Sequence, residues 1–291
     1  MKCHVGDGSR EVNHDLIAAG HPRLKFEYAA YYANYPRHWT EQEKKERALD
    51  PAREARNWLQ GQTATAKAAL ELLAVRAENK GAPWPEFAEH DCTACHHGLT
   101  SPSERQKRAA DRAEAARKMG KTVRSGDVPW SSWYTGQLPL LASRAPAGTK
   151  ARLDVLLQQI DDEMKERLPN RKRVGDLARQ AAGLVGAWSA AEMTANLNAR
   201  DVRGLIRVVG SNAGPVEMGW DGGTQAYLGI AALNFALKEM GDPAGDLKLK
   251  ELRGSLRESF PAGSRPLYES PSKYDAAKVF GLLGAARMLA P

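Results

Sequence analysis

Apolar positions along this chain recur every three or four residues rather than every second one, a spacing that predicts helices. The clearest run is Ala52, Ala55, Trp58, Leu59, Ala66, Leu70, Leu73 and Ala77. It marks one face of a helix that starts at Asp50-Pro51, where proline suits the first turn, and reaches about Asn79 before Gly81-Ala82-Pro83 stops it. Ahead of it, the turn-rich Gly6-Asp7-Gly8-Ser9 precedes a helix expected from 22 to about 34. Later helices are expected over 130–143, 150–168, 173–197, 201–209, 224–240, 248–260 and 274–289. Asp221 stands ahead of the helix at 224 as an N-cap region, and Gly241-Asp242-Pro243 ends it. Period-2 strands, fixed repeats and low-complexity tracts are all missing from the pattern, so the fold class expected is all-α.

The polar chemistry is unevenly spread. All seven histidines lie at or before His97. That asymmetry divides the chain into a ligand-bearing segment, 1–100, a basic connector, 101–126, and an α-helical C-terminal domain, 127–291. Two of the three cysteines form Cys92-Thr93-Ala94-Cys95-His96. C-x-x-C-H is the attachment signature of a c-type haem, in which both thiols bond to the macrocycle and the histidine becomes the proximal iron ligand. A zinc site is the main competing reading. It needs four protein ligands, and Cys3, Cys92, Cys95 and one histidine supply just enough. A redox dithiol lacks the strand–helix context of a thioredoxin.

Cys3-His4 reads as the back half of a second such motif without its front cysteine, so this haem would be singly tethered. The arrangement suggests the tail of a longer chain, which also fits the lack of a legible export signal before Cys3. His14 and His21 are candidate axial ligands; His21 precedes Pro22, which restricts its direction. Capping or core roles remain open for both. His97 cannot share the iron that His96 holds, and either serves a neighbouring haem or lies at the surface. His38 and His90 read as bystanders. Arg23, Arg37 and the aromatics Tyr28, Tyr31, Tyr32, Tyr35 and Trp39 are either pocket lining or core, arginine being suited to pairing with carboxylates.

With 42% hydrophobic and 26% charged residues the composition is that of an ordinary globular protein. The most apolar stretch, 226–237, is broken by Asn234 and falls short of the roughly 18 residues a membrane span needs. The net charge is +7, with Lys and Arg crowded into 103–125. This segment is either a solvated connector or a docking patch for an acidic redox partner. No nucleic-acid-binding motif accompanies the charge. Gly120-Lys121-Thr122 lacks a P-loop's first glycine, since Ala115 holds that place. Asp161-Asp162-Glu163 reads as a solvated helix face.

Several of these segments resemble the planctomycete-type multihaem cytochromes c, akin to tetrahaem electron carriers of nitrifying bacteria. They are Cys3 to Asp7, Asn13 to Leu24 with Phe26-Glu27, Pro36 to Trp39, Pro85 to Glu89, Asp91-Cys92 and Cys95 to Leu99. The likeness is looser at Trp130, Trp133-Tyr134, Trp220-Asp221-Gly222 and Gln225 to Tyr227. It implies a multihaem cytochrome segment followed by a helical bundle. Further haems would be attached upstream, the irons would have bis-histidine ligation, and the protein would transfer electrons in the periplasm or another extracytoplasmic compartment. On that basis His4 and His96 are proximal ligands, and His14, His21 and His97 are distal candidates. An oxidoreductase acting on a small nitrogen or sulfur species is the alternative; it would leave one iron with a single protein ligand.

Overall fold

The computed structural model describes residues 1–291 except 37–39, 43, 44, 46–48, 98, 100, 104, 105, 107, 108, 119–125, 195, 265–268, 270 and 289–291. The described residues form helices joined by turns, with two isolated β-bridges and no strand. The chain is all-α. None of its described helices is long and apolar enough to cross a membrane.

In chain order the α-helices are α1 (His14–Ala18), α2 (Tyr28–Asn34), α3 (Arg53–Glu78), α4 (Ala109–Lys118), α5 (Leu138–Leu141), α6 (Thr149–Met164) and α7 (Arg171–Glu192). They continue as α8 (Ala199–Ser211), α9 (Ala213–Met218), α10 (Trp220–Glu239), α11 (Lys250–Glu258), α12 (Ala276–Leu282) and α13 (Gly284–Arg287). Helix α3 follows the apolar stripe read from the sequence: Ala55, Trp58, Leu59, Ala66, Leu70, Leu73 and Ala77 are all buried. Its partner is α7, which supplies Val174, Ala178, Ala181, Val185 and Trp188. Small residues on both sides let the two helices approach closely; Gly175 faces the methyl of Ala77. The apolar core thus draws on residues from both sides of position 100, from Ala29 through α3 to Ala286.

Arg171 finishes α3. Its guanidinium donates weakly to the last-turn carbonyls of Arg76 and Ala77 (3.4 Å) and more closely to those of Asn79 and Ala82 just beyond the helix (2.7 Å), and stacks over Trp84. A helix C-terminus leaves carbonyls without intrahelical partners, and a cation there satisfies them and suits the dipole.

Four expectations shift. The helix expected from 22 begins only at Tyr28, because Glu27 caps it by accepting from the N–H groups of Ala29 and Ala30. Residues 22–26 stay extended, their carbonyls taken by side chains: Tyr134 donates to Leu24 (3.1 Å) and Trp133 Nε1 to Phe26 (3.0 Å). The helix expected over 130–143 shrinks to α5, since 129–131 pair with residues 89–91 instead. Asp221 is not a cap of α10 but sits in its first turn, the helix starting at Trp220. Asp161 is buried against Lys165 at 2.7 Å, so the carboxylate run is not wholly a solvated face.

Candidate functional site

The C-x-x-C-H loop is shaped by local hydrogen bonds. Asp91 caps a 3-10 turn over Cys92–Ala94 by accepting from the Thr93 N–H (3.0 Å) and hydroxyl (2.8 Å). The His96 N–H returns to the Cys92 carbonyl at 2.7 Å, closing the loop so that both thiols and the imidazole belong to one turn. Upstream, the loop is anchored by an antiparallel bridge between His90 and Trp130. The Asp91 N–H donates to Pro129 (2.9 Å) and the Ser131 N–H to Glu89 (2.8 Å). Cys95 and His96 are exposed and Cys92 half-buried. Behind them lies a cavity of about 60 Å³, bounded in part by Arg23, Arg76, Glu89, Trp130, Ser131 and Tyr134. It has room for a few waters. A macrocycle would need the open side of the loop.

Glu86 brings His14 to this loop. Its carboxylate accepts from the N–H of Ala88, starting the 3-10 turn over Phe87–Glu89, and from the backbone N–H of His14 at 2.8 Å. Helix α1 is capped in turn by Asn13, which accepts from Leu16 at 3.0 Å. The His14 ring lies edge-on to Phe87 at 5.6 Å and 6.2 Å from the His96 ring, with planes inclined by 30°.

The remaining candidates make other contacts. His4 stacks on Phe26 at 4.6 Å and tilts against Tyr31 at 4.8 Å, beside the exposed Cys3. His21 places Nδ1 2.7 Å from the Pro22 carbonyl. A carbonyl can only accept, so Nδ1 donates this bond, as the second nitrogen of a metal-binding imidazole usually does. His97 is half-buried. His90 is buried with Nδ1 unpartnered, and burial pushes its pKa down. Arg37, His38 and Trp39 lie outside the described residues, as does much of the basic connector.

Sequence reasoning named Arg23 as pocket lining or core but missed the rest of the charged layer under the loop. The Arg23 guanidinium donates from Nη1 to Cys92 Sγ (3.2 Å) and from Nη2 to Ser131 Oγ (2.8 Å). Burial works against its charge, but Asp221, Cys92 and Asp91 more than offset this and hold its pKa up. Lys25 pairs with Asp221 at 2.9 Å and lies over Trp220 (4.3 Å) and Trp133 (5.5 Å), which stack on each other. Arg76 of α3 bridges Glu11 (2.6 Å) and Glu89 (2.7 Å), and Glu89 also accepts from Trp130 Nε1 at 3.1 Å. Burial pushes the Tyr134 hydroxyl up to about 12, which keeps it a neutral donor. The sequence offers only a weak signal for these contacts, a lone arginine two residues after His21.

Among the described residues, no three histidine, cysteine or acidic side chains converge as a metal-ligand cluster. A zinc site built on Cys3, Cys92 and Cys95 needs such a cluster, whereas a haem brings four nitrogens of its own and asks the protein for two. Compared with known protein families, with curated proteins and with solved structures, the chain matches none.

Proposed function

We propose that this chain carries a c-type haem on Cys92, Cys95 and His96 and works in electron transfer. The observation that carries the reading is the pairing of His14 with His96. Their 6.2 Å centroid separation is close to what two imidazoles need on opposite sides of one metal, each bound through about 2 Å. When bound, the haem supplies a one-electron iron couple. The chain's own part is to keep that couple's surroundings fixed. Glu86 holds the backbone of His14, Asp91 shapes the thiol turn, and Phe87 restrains the His14 ring from the side. Two fixed imidazoles leave little to rearrange when charge changes, which suits a carrier.

The compartment follows from the chemistry, since haem is joined to such motifs outside the bacterial cytoplasm. A second haem at Cys3 and His4, through one thioether, is part of the same proposal, with Phe26 and Tyr31 as its aromatic wall. The partner we propose is a redox protein with an acidic face, matched to the basic run 103–125.

Production in a cytochrome-maturing host tests the reading. Covalent haem with sharp reduced α and β bands and a low-spin ferric spectrum is expected. Protein that stays colourless there, or that takes up zinc in its place, overturns it.

A further inference from the structure

The two thiols of the loop are not equivalent. Cys95 is exposed, while Cys92 is half-buried with its sulfur 3.2 Å from Arg23 Nη1. The guanidinium is a rigid planar fork, so fixing one of its N–H groups fixes the direction of the others. Here the second arm is fixed by Ser131 Oγ at 2.8 Å. Ser131 is itself pinned through its N–H to the carbonyl of Glu89, three residues before Cys92. Backbone pairing, serine, guanidinium and sulfur therefore form one closed circuit. Arginine keeps its charge at any physiological pH, so the contact persists wherever the protein works.

We propose that Arg23 is a positioning residue for covalent attachment: it holds the Cys92 sulfur where a haem vinyl group can meet it, so that the loop is joined through both cysteines. The proposal rests on the haem-attachment reading above. In the step concerned, the Cys92 S–H adds across a vinyl C=C. One S–C bond forms, the π bond is lost, the thiol proton ends on the other vinyl carbon, and no electrons pass to or from a further reagent. Arg23 acts through the place of the sulfur and touches neither carbon. Without it, Cys92 is free to turn away, and attachment proceeds through Cys95 alone.

The test uses the full chain, exported in a cytochrome-maturing bacterial host, as wild type, Arg23→Gln, Arg23→Lys, Ser131→Ala and a Cys92→Ala reference. Mass spectrometry of the haem peptide counts thioethers, and the pyridine haemochrome α band moves to longer wavelength when one vinyl survives. Two thioethers are expected in wild type. Arg23→Gln should lose the Cys92 thioether in most molecules and share the α band of Cys92→Ala. Ser131→Ala and Arg23→Lys, which each keep a cation but break the fork, should give mixtures. Wild-type double attachment in Arg23→Gln overturns the proposal, and if that variant does not fold, wild-type attachment in Ser131→Ala does so. Wild type without any haem is a separate result: it removes the haem-attachment reading and this proposal with it.

Discussion

His14 reaches His96 across 82 residues of sequence because one carboxylate, that of Glu86, holds the backbone of the first and starts the turn that leads to the second. On the proposed haem reading, His14→Ala is expected to remove one axial imidazole and leave both thioethers in place. Ferric EPR would then move from a low-spin to a high-spin signal. An unchanged low-spin spectrum would show that another residue faces His96. Glu86→Ala should produce a partial form of the same change, because His14 keeps its ring but loses its anchor.

Asp221 is the charge on which the extended segment 22–26 leans. Burial alone would raise its pKa, but Lys25 and Arg23 beside it bring it below the ordinary carboxylate value of 3.8. Its stabilising contribution is therefore complete above that value and is lost as pH falls through the lower folded value. Asp221→Asn should cost about 3 kcal/mol at neutral pH, because Lys25 keeps a buried charge without its partner. It should also flatten the acid limb of stability. Urea midpoints measured across the acid range check both points.

Glu27 behaves in the opposite sense. Burial raises its pKa above 4.5, partly countered by the Ala30 and Ala29 N–H groups it caps. The folded form binds the proton more tightly, so this residue's contribution to stability falls as pH rises from 4.5 through the raised value. Glu27→Gln should remove that slope. Glu27→Ala should remove the slope too and lie about 1–2 kcal/mol below Glu27→Gln at every pH through the missing cap of α2. Thermal melts from acid to neutral pH separate the two variants.

Gly222 allows α10 to cross the chain at Pro215. A Cβ there would overlap the Pro215 carbonyl and backbone, which cannot swing aside as a side chain would. Gly222→Ala is expected to destabilise by about 3 kcal/mol or more, at the upper end of overpacking effects. Gly183→Ala, with nothing within 4 Å, serves as the control and should be neutral or slightly stabilising. Equal urea midpoints for the two variants would contradict the close approach.

The long helices were legible because their apolar stripes are long. Trp58, Leu59, Leu70 and Leu73 repeat the helical period, and the structure buries all four. The N-terminal bounds of α8 and α10 were harder to read. Asn198 and Asp201 form a reciprocal capping box that starts α8 two residues earlier than periodicity suggests. Gly219 separates α9 from α10, and the six residues of α9 are too few to show a period. The thiol loop was readable as a motif. Its support was not, because Arg23, Glu86, Ser131 and Asp221 come from four distant places and carry no spacing rule. His14 stood out as a candidate, but nothing in the sequence said which of the other histidines it would meet.

The Lys25–Asp221 pair has one further effect. It fastens the stretch between His21 and α2 to the first turn of a helix nearly two hundred residues away, under a lid of two indoles. Warming that loosens α10 would slacken the histidine-bearing stretch at the same moment. Loss of far-UV ellipticity and loss of order around Trp133 and Trp220 should therefore trace a single curve.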